Sequence, residues 1–538
     1  MKLPLRLAAN VVRPGFLKGL AASLILAVSG FLAAAAPAAA TVPTPKVSLP
    51  PAGTHGFPFF SSSLDLASFG YTEQEFLISG RAQAFVNSGT LGNDGVWNVS
   101  PGATTPYTTR ILVRMPTNPG SFNGTVVVEW LNVSGGIDAS PDWAFEHVEL
   151  LRRGYAWVGV SAQYVGATYL PTWDSVRYAS ISHPGDSWSY DIFSQAGMAI
   201  LHGNPKPLGS LTPLVHAVLA VGESQSAFRL FTYYNAIQPV AGVYQGFLIH
   251  STGIGAPLSQ SAPGGVALMK VHAAVPATPD IPVPPTAFIR DDLHQPVLFL
   301  NTETDVNFFA GVSVHNQPDS NTFRMWEVAG TSHADAYLIA QSAQDAAKSG
   351  LTGSLQCGSP PDNNGPHVFA ARAAIRALAQ WTLQPAQTPA IGPRFFLQNG
   401  QVERNPVTGN AVGGIRYPQI AVPIETLTGV RPPSALAANG NCILVGGTDP
   451  WDGSTDPWDN QAWFKPPSGY DPSPTPEPSL LERYGTKDTY VSEYTQAAGQ
   501  SVAQGFLLSD DLSEVVGLAN AASVPNGNAG NATIIPNP

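Results

Sequence analysis

Only two of the 538 residues are cysteine and only 12% of the chain is charged, and each scarcity removes a class of function. Two thiols, Cys357 and Cys442, cannot supply a cysteine-based zinc framework. No cluster of Lys and Arg of the kind that tracks phosphates occurs beyond the first twenty residues, which argues against nucleic acid as a partner. The net charge of -11 reflects few bases, 26 against 37 acids, rather than acidic blocks. Long apolar runs are missing as well, except for one at the N-terminus. What is abundant is glycine (52) and proline (50) within a composition that is 44% hydrophobic, which describes a folded chain rich in turns rather than a disordered one. The length exceeds that of an ordinary domain and suffices for a large core.

The N-terminal exception has the order of an export signal. Lys2, Arg6, Arg13 and Lys18 precede an uncharged run from Gly19 to Ala40 that ends in Ala38-Ala39-Ala40, an A-x-A cleavage pattern. Residues 1–40 are read as a signal peptide, with Thr41 opening an exported chain, periplasmic or extracellular, that keeps no stable membrane insertion. An uncleaved anchor is the alternative, since the run is long enough to span a bilayer. Export permits disulfides, and with two cysteines the only intramolecular bridge is Cys357–Cys442; two separate buried thiols are the other possibility.

From residue 80 to 335, short β-branched runs alternate with helical stretches, the pattern of a mostly parallel sheet covered by helices. Strands are predicted at 81–86 and 107–115, an antiparallel pair at one sheet edge, and then at 125–130, 156–161, 215–221, 246–251, 297–302 and 323–328, eight in all. Helices are predicted at 143–153, stopped by Gly154, at 190–201, and from Ser224 onward. Two Ala-rich helices follow at 334–348 and 367–382. Residues 41–385 thus read as the core, and 386–538, Gly/Pro-rich and aperiodic until about residue 490, as a region of the same unit that wraps or caps it. Within it Asp449-Pro450-Trp451-Asp452 recurs as Asp456-Pro457-Trp458-Asp459; a calcium loop and a solvated turn both fit, although the glycine and glutamate placement of an EF-hand is missing.

Chemistry concentrates after the fifth predicted strand, in Gly222-Glu223-Ser224-Gln225-Ser226. An apolar strand runs into a tight turn and then a helix, which resembles the nucleophile elbow of α/β-hydrolases. Small residues two positions either side of Ser224 let helix and strand approach, although the second is Ser226 rather than glycine. A serine hydroxyl needs a base within hydrogen-bond reach and an acid that orients the base. Downstream stand Glu303 and Asp305, after the seventh strand, and His333, after the eighth, in the chain order Ser, acid, His. Either acid serves; Asp305, three residues past the strand end, is favoured. His250 is the reserve base, and His183 is placed near the site without being the base. His216 is read inside a strand, His147 on a helix, and His55 and His315 in loops. The oxyanion donors fall to the N–H of Gln225 and to the loop after the third strand, where Asn132 is chosen.

These motifs together resemble a family of bacterial exported α/β-hydrolase-domain proteins, through Val128-Glu129-Trp130-Leu131-Asn132-Val133-Ser134-Gly135-Gly136, His183-Pro184-Gly185-Asp186, Gly222-Glu223-Ser224-Gln225-Ser226 and Gly413-Gly414-Ile415-Arg416-Tyr417-Pro418. The resemblance implies the α/β-hydrolase fold, a Ser-acid-His triad and hydrolytic chemistry, but no substrate. The reading is a carboxylic ester hydrolase that works through an acyl-enzyme on a small-molecule or polymer ester, with no metal or organic cofactor. Amide, lactone or acyl-transfer chemistry on the same triad, and a non-catalytic exported binding protein on the same scaffold, are the competing readings.

Overall fold

The computed structural model describes residues 42–257, 281–309, 312–353, 355, 357–358, 361–431, 440–450 and 483–522. The export signal and most of the Asp-Pro-Trp-Asp duplication lie outside these residues. Among the described residues no helix is long and apolar enough to cross a membrane.

Nine strands form one sheet: β1 (Lys46–Ser48), β2 (Tyr71–Asn87), β3 (Val99–Pro116), β4 (Thr125–Trp130), β5 (Ala156–Val160), β6 (Ala217–Glu223), β7 (Gly246–His250), β8 (Val297–Thr302) and β9 (Phe323–Val328). Their order is β1-β2-β3-β5-β4-β6-β7-β8-β9. The pairs from β5 to β9 are parallel, while β1, β2 and β3 are antiparallel to their neighbours. The sheet therefore has one strand more than the sequence pattern indicates, a three-residue edge strand too short to carry a period.

The expected edge hairpin is present but much longer than predicted. Polar residues before position 81 hide its first half: Glu73 stands opposite Arg114 in the register and bonds it at 2.8 Å, and Arg110 bonds Glu75 at 3.0 Å. Paired in this way, charged side chains are buried in a strand that composition alone reads as a loop. His216 lies just before β6 rather than inside a strand, and His315 closes a short helix, Val312–His315, rather than sitting in a loop.

The helices alternate with the strands and cover both faces. These are α1 (Pro141–Arg153), α2 (Tyr164–Trp173), α3 (Ser189–His202), α4 (Gln225–Thr232), α5 (Glu303–Phe308), α6 (Ala336–Lys348), α7 (His367–Leu383), α8 (Lys487–Ala503) and α9 (Leu512–Ala521). Gly154 ends α1 with a left-handed φ of 75° and returns its N–H to the carbonyls of Leu150 and Leu151. Alternation along β4 serves two cores: Val127 joins the cluster under α1 and α7, whereas Val126, Val128 and Trp130 join the cluster under α3 and α4.

The C-terminal helices dock by charge and by shape. Asp511 bonds Arg152 at 2.6 Å and Asp510 bonds Arg153 and Arg376 at 2.6 Å, all near the C-terminal end of α1 or on α7. Phe506 meets Trp326 edge-on at 5.3 Å. Because α1 starts at the C-terminal edge of the sheet and runs back, these contacts lie at the end of α1 remote from that edge. Tyr490, Tyr494, Ala498 and Val515 of these helices join the same apolar cluster as Val127.

Candidate active site

Ser224 sits between β6 and α4 with φ 59°, a left-handed conformation that a non-glycine residue holds only when its surroundings impose it. Its N–H donates to the carbonyl of His250 at 2.9 Å, which pins the turn to the neighbouring strand. The small residues around it are sterically required. A Cβ on Gly222 would come within 3.0 Å of Leu230 and of the Ser226 Cβ, and Ser226 is fully buried against that turn.

His333 lies in the loop after β9, where the chain turns at Gly330 with φ 77°; a Cβ there would stand 2.3 Å from Ile420. The imidazole Nε2 is 2.6 Å from Ser224 Oγ, and Nδ1 is 2.6 Å from Asp305 Oδ1. Asp305 and His333 are buried, and Ser224 is partly exposed, so the hydrogen-bonded row opens to solvent at the serine. Burial would raise the Asp305 carboxyl, but the charge of His333 and hydrogen bonds from His333 and Thr302 outweigh it and hold the group below the usual carboxylate range.

The two acids occupy the first turn of α5, and their carboxylates separate. Asp305 is the third helical residue of a capping box with Thr302, whose N–H and Oγ1 both bond its Oδ2 at 2.7 Å. Glu303 instead accepts the N–H of Gly330 at 2.6 Å and of Gly429 at 2.9 Å, and pairs with Arg404. It reaches no imidazole.

The other histidines separate as clearly. His250 has both ring nitrogens engaged, Nδ1 with Asp142 at 2.8 Å and Nε2 with His367 Nε2 at 2.7 Å, and burial pushes its imidazole down to about 3. His183 holds the carbonyl of Ala162 at 2.9 Å and accepts from the N–H of Gly185, a tie between loops.

Gln225 opens α4, so its N–H has no intrahelical acceptor, and its side-chain amide pairs reciprocally with that of Gln163. Asn132 departs from expectation. Its backbone N–H donates to Ala139 at 2.9 Å, and its Nδ2 donates to the Glu223 carbonyl at 3.1 Å. Its main-chain donor is therefore spent within the loop, and its side chain braces the elbow instead.

Three neighbours escaped sequence reasoning. Phe309 lies 4.9 Å from the His333 ring, ring centre to ring centre, and forms an apolar wall with Phe228. Thr304 Oγ1 accepts the N–H of His333. Glu223 turns its carboxyl toward the imidazole, with Oε1 3.5 Å from His333 Nε2. The one sequence signal for the last was a charged residue closing an otherwise apolar, buried strand. Among the described residues no group of three or more His, Cys, Asp or Glu side chains converges as metal ligands would.

No curated relative matches the sequence. Among solved structures, a lid-free α/β serine hydrolase of Xanthomonas campestris superposes over 50% of this chain and 93% of its own at 12% identity, TM-score 0.25. The rice cell wall degrading esterase LipA of Xanthomonas oryzae does so over 40% and 50% at 13% identity, TM-score 0.20. A methylesterase does so over 64% and 61% at 13% identity, TM-score 0.28. The alpha/beta hydrolase domain family matches residues 42–517. With nearly all of the described chain inside that match, this protein belongs to the alpha/beta hydrolase domain family.

Proposed function

We propose that this chain is an exported serine esterase. The observation that carries the reading is the unbroken row Ser224 Oγ, His333 Nε2, His333 Nδ1 and Asp305 Oδ1, both of its hydrogen bonds 2.6 Å, with the serine on a strained turn at the open end. In this reading His333 takes the Ser224 proton as Oγ attacks the ester carbonyl, Asp305 holds the imidazole in the tautomer that leaves Nε2 free, and His333 then protonates the departing alcohol. The N–H of Gln225, held at the start of α4, faces the developing oxyanion. Asn132 acts beside it by fixing the carbonyl that precedes Ser224. Phe309 and Phe228 favour an apolar group next to the scissile bond.

Export rests on the basic, apolar and small-residue order of residues 1–40 and on the Cys357–Cys442 pair, whose sulfurs are at bonding distance. A small-molecule or polymer ester is the proposed substrate class, with no nucleic-acid partner.

Labelling by a fluorophosphonate tests the reading. Stoichiometric attachment at Ser224, with loss of p-nitrophenyl acetate hydrolysis, is the expected result; an intact chain that takes up no probe at any serine favours a non-catalytic binding protein.

A further inference from the structure

The triad leaves one group at its centre unused. Glu223, between the nucleophile and the buried end of β6, is 3% exposed, and its Oε1 is shut off from solvent without a hydrogen-bond partner among the described residues. That oxygen lies 3.5 Å from His333 Nε2, the nitrogen that bonds Ser224 Oγ. A buried carboxyl oxygen left unpaired is unfavourable, and such atoms are usually satisfied by a water or a ligand.

The second half of an acyl-enzyme reaction needs a polar atom in that place. Once Ser224 Oγ carries the acyl group, it no longer donates to Nε2, and an incoming water has to bond Nε2 and be held by a second polar atom. We propose that Glu223 is that second atom, placing the hydrolytic water against His333 during deacylation; the proposal rests on the serine-esterase reading. The water oxygen bonds to the acyl carbon while one of its protons passes to Nε2. The tetrahedral adduct then collapses with cleavage of the bond between carbon and Oγ, the proton returns from Nε2 to Oγ, and the carboxylic acid leaves. Glu223 accepts a hydrogen bond from the water's other O–H and is itself unchanged.

The surroundings disfavour a charge on this acceptor. Glu129 on β4, Asp142 on α1 and Asp305 on α5 face Glu223 along with His333 and the neutral His250. Burial, reinforced by the repulsion of Asp142, Asp305 and Glu129, pushes its carboxyl well above the usual range. A carboxyl that resists ionisation accepts through one oxygen and draws the imidazole less strongly toward its cation.

Two variants separate the role from packing. Glu223→Leu removes the acceptor, and Glu223→Gln keeps one. With p-nitrophenyl acetate, Glu223→Leu is expected to release about one p-nitrophenolate per Ser224 rapidly and then turn over about 10- to 100-fold more slowly than wild type, the scale of a mispositioned reactant. Intact-mass spectra should show acetylated protein accumulating, while Glu223→Gln loses no more than about fivefold. A Glu223→Leu protein that turns over within about twofold of wild type, or whose acylation rate falls by the same factor as its turnover, overturns the proposal. A Glu223→Gln protein as slow as Glu223→Leu also overturns it. Wild-type protein that takes up neither acetyl nor fluorophosphonate at Ser224 defeats the esterase reading itself.

Discussion

Glu303 and Asp305 share one turn of helix and hold different parts of the loop that carries His333. Asp305 meets the His333 imidazole at 2.6 Å, while Glu303 binds the backbone of Gly330, three residues before that histidine, and of Gly429, far along the chain. One carboxylate orients the ring. The other fixes the loop from which the ring projects and joins it to the C-terminal region, where Thr304 Oγ1 also donates to the Gly429 carbonyl.

The two acids should therefore fail differently. Asp305→Asn is expected to lower kcat by about 10³- to 10⁴-fold with little change in melting temperature, because the wrong imidazole tautomer is then favoured. Glu303→Gln leaves Arg404 without its buried counter-charge and is expected to lower stability by about 3 kcal/mol, with the smaller effect on kcat. Steady-state kinetics alongside denaturant unfolding decide it; the reverse pattern assigns the orienting role to Glu303.

Ser224→Ala should reduce esterase turnover by about three orders of magnitude or more while circular dichroism and melting remain those of wild type. Retention of more than about a tenth of the activity removes Ser224 as nucleophile.

Asp335, which caps α6 through the N–H of Leu338, gives a pH-dependent prediction. Burial pushes its carboxyl from 3.8 up to about 7 in the folded chain. The unfolded chain therefore ionises first, so the group's stabilising contribution is complete below pH 3.8 and is lost as pH rises toward about 7. Asparagine caps without ionising. The stability of Asp335→Asn relative to wild type should grow with pH across this window, at up to about 1.4 kcal/mol per unit, and then level off. Unfolding curves at pH 4, 5.5 and 7 measure it; a difference independent of pH contradicts the assignment.

Cys357 and Cys442 are expected to be bonded in exported protein. Their sequence separation is 85, and closing a loop of that size corresponds to roughly 4 to 5 kcal/mol at most. Mass spectrometry of non-reduced digests should find the linked peptides, and the Cys357→Ser, Cys442→Ser double variant should unfold at lower denaturant. Two free thiols in correctly exported protein defeat both expectations.

Local patterns determined much of this fold. Apolar runs of five or six residues, turn signals and a glycine stop located the parallel strands and α1, and a small-residue elbow after a buried strand picked out Ser224. The sequence singled out His333 by its place after the last strand, and folding brings it to Ser224 and Asp305. What the sequence by itself left open was which of two acids, two residues apart, turns to the histidine. That choice was made by Thr302 on one side and by Gly330, Arg404 and Gly429 on the other, partners distributed over more than a hundred residues. The first half of β2 was hidden for the same reason, since its glutamates leave the solvent, Glu75 fully and Glu73 in part, where arginines of β3 pair with them. The loop role of Asn132 and the direction of Glu223 likewise depend on groups that only folding brings near. Periodicity reports which face of an element is apolar, whereas a buried polar side chain takes its partner from the tertiary structure, and its chemistry follows from that partner.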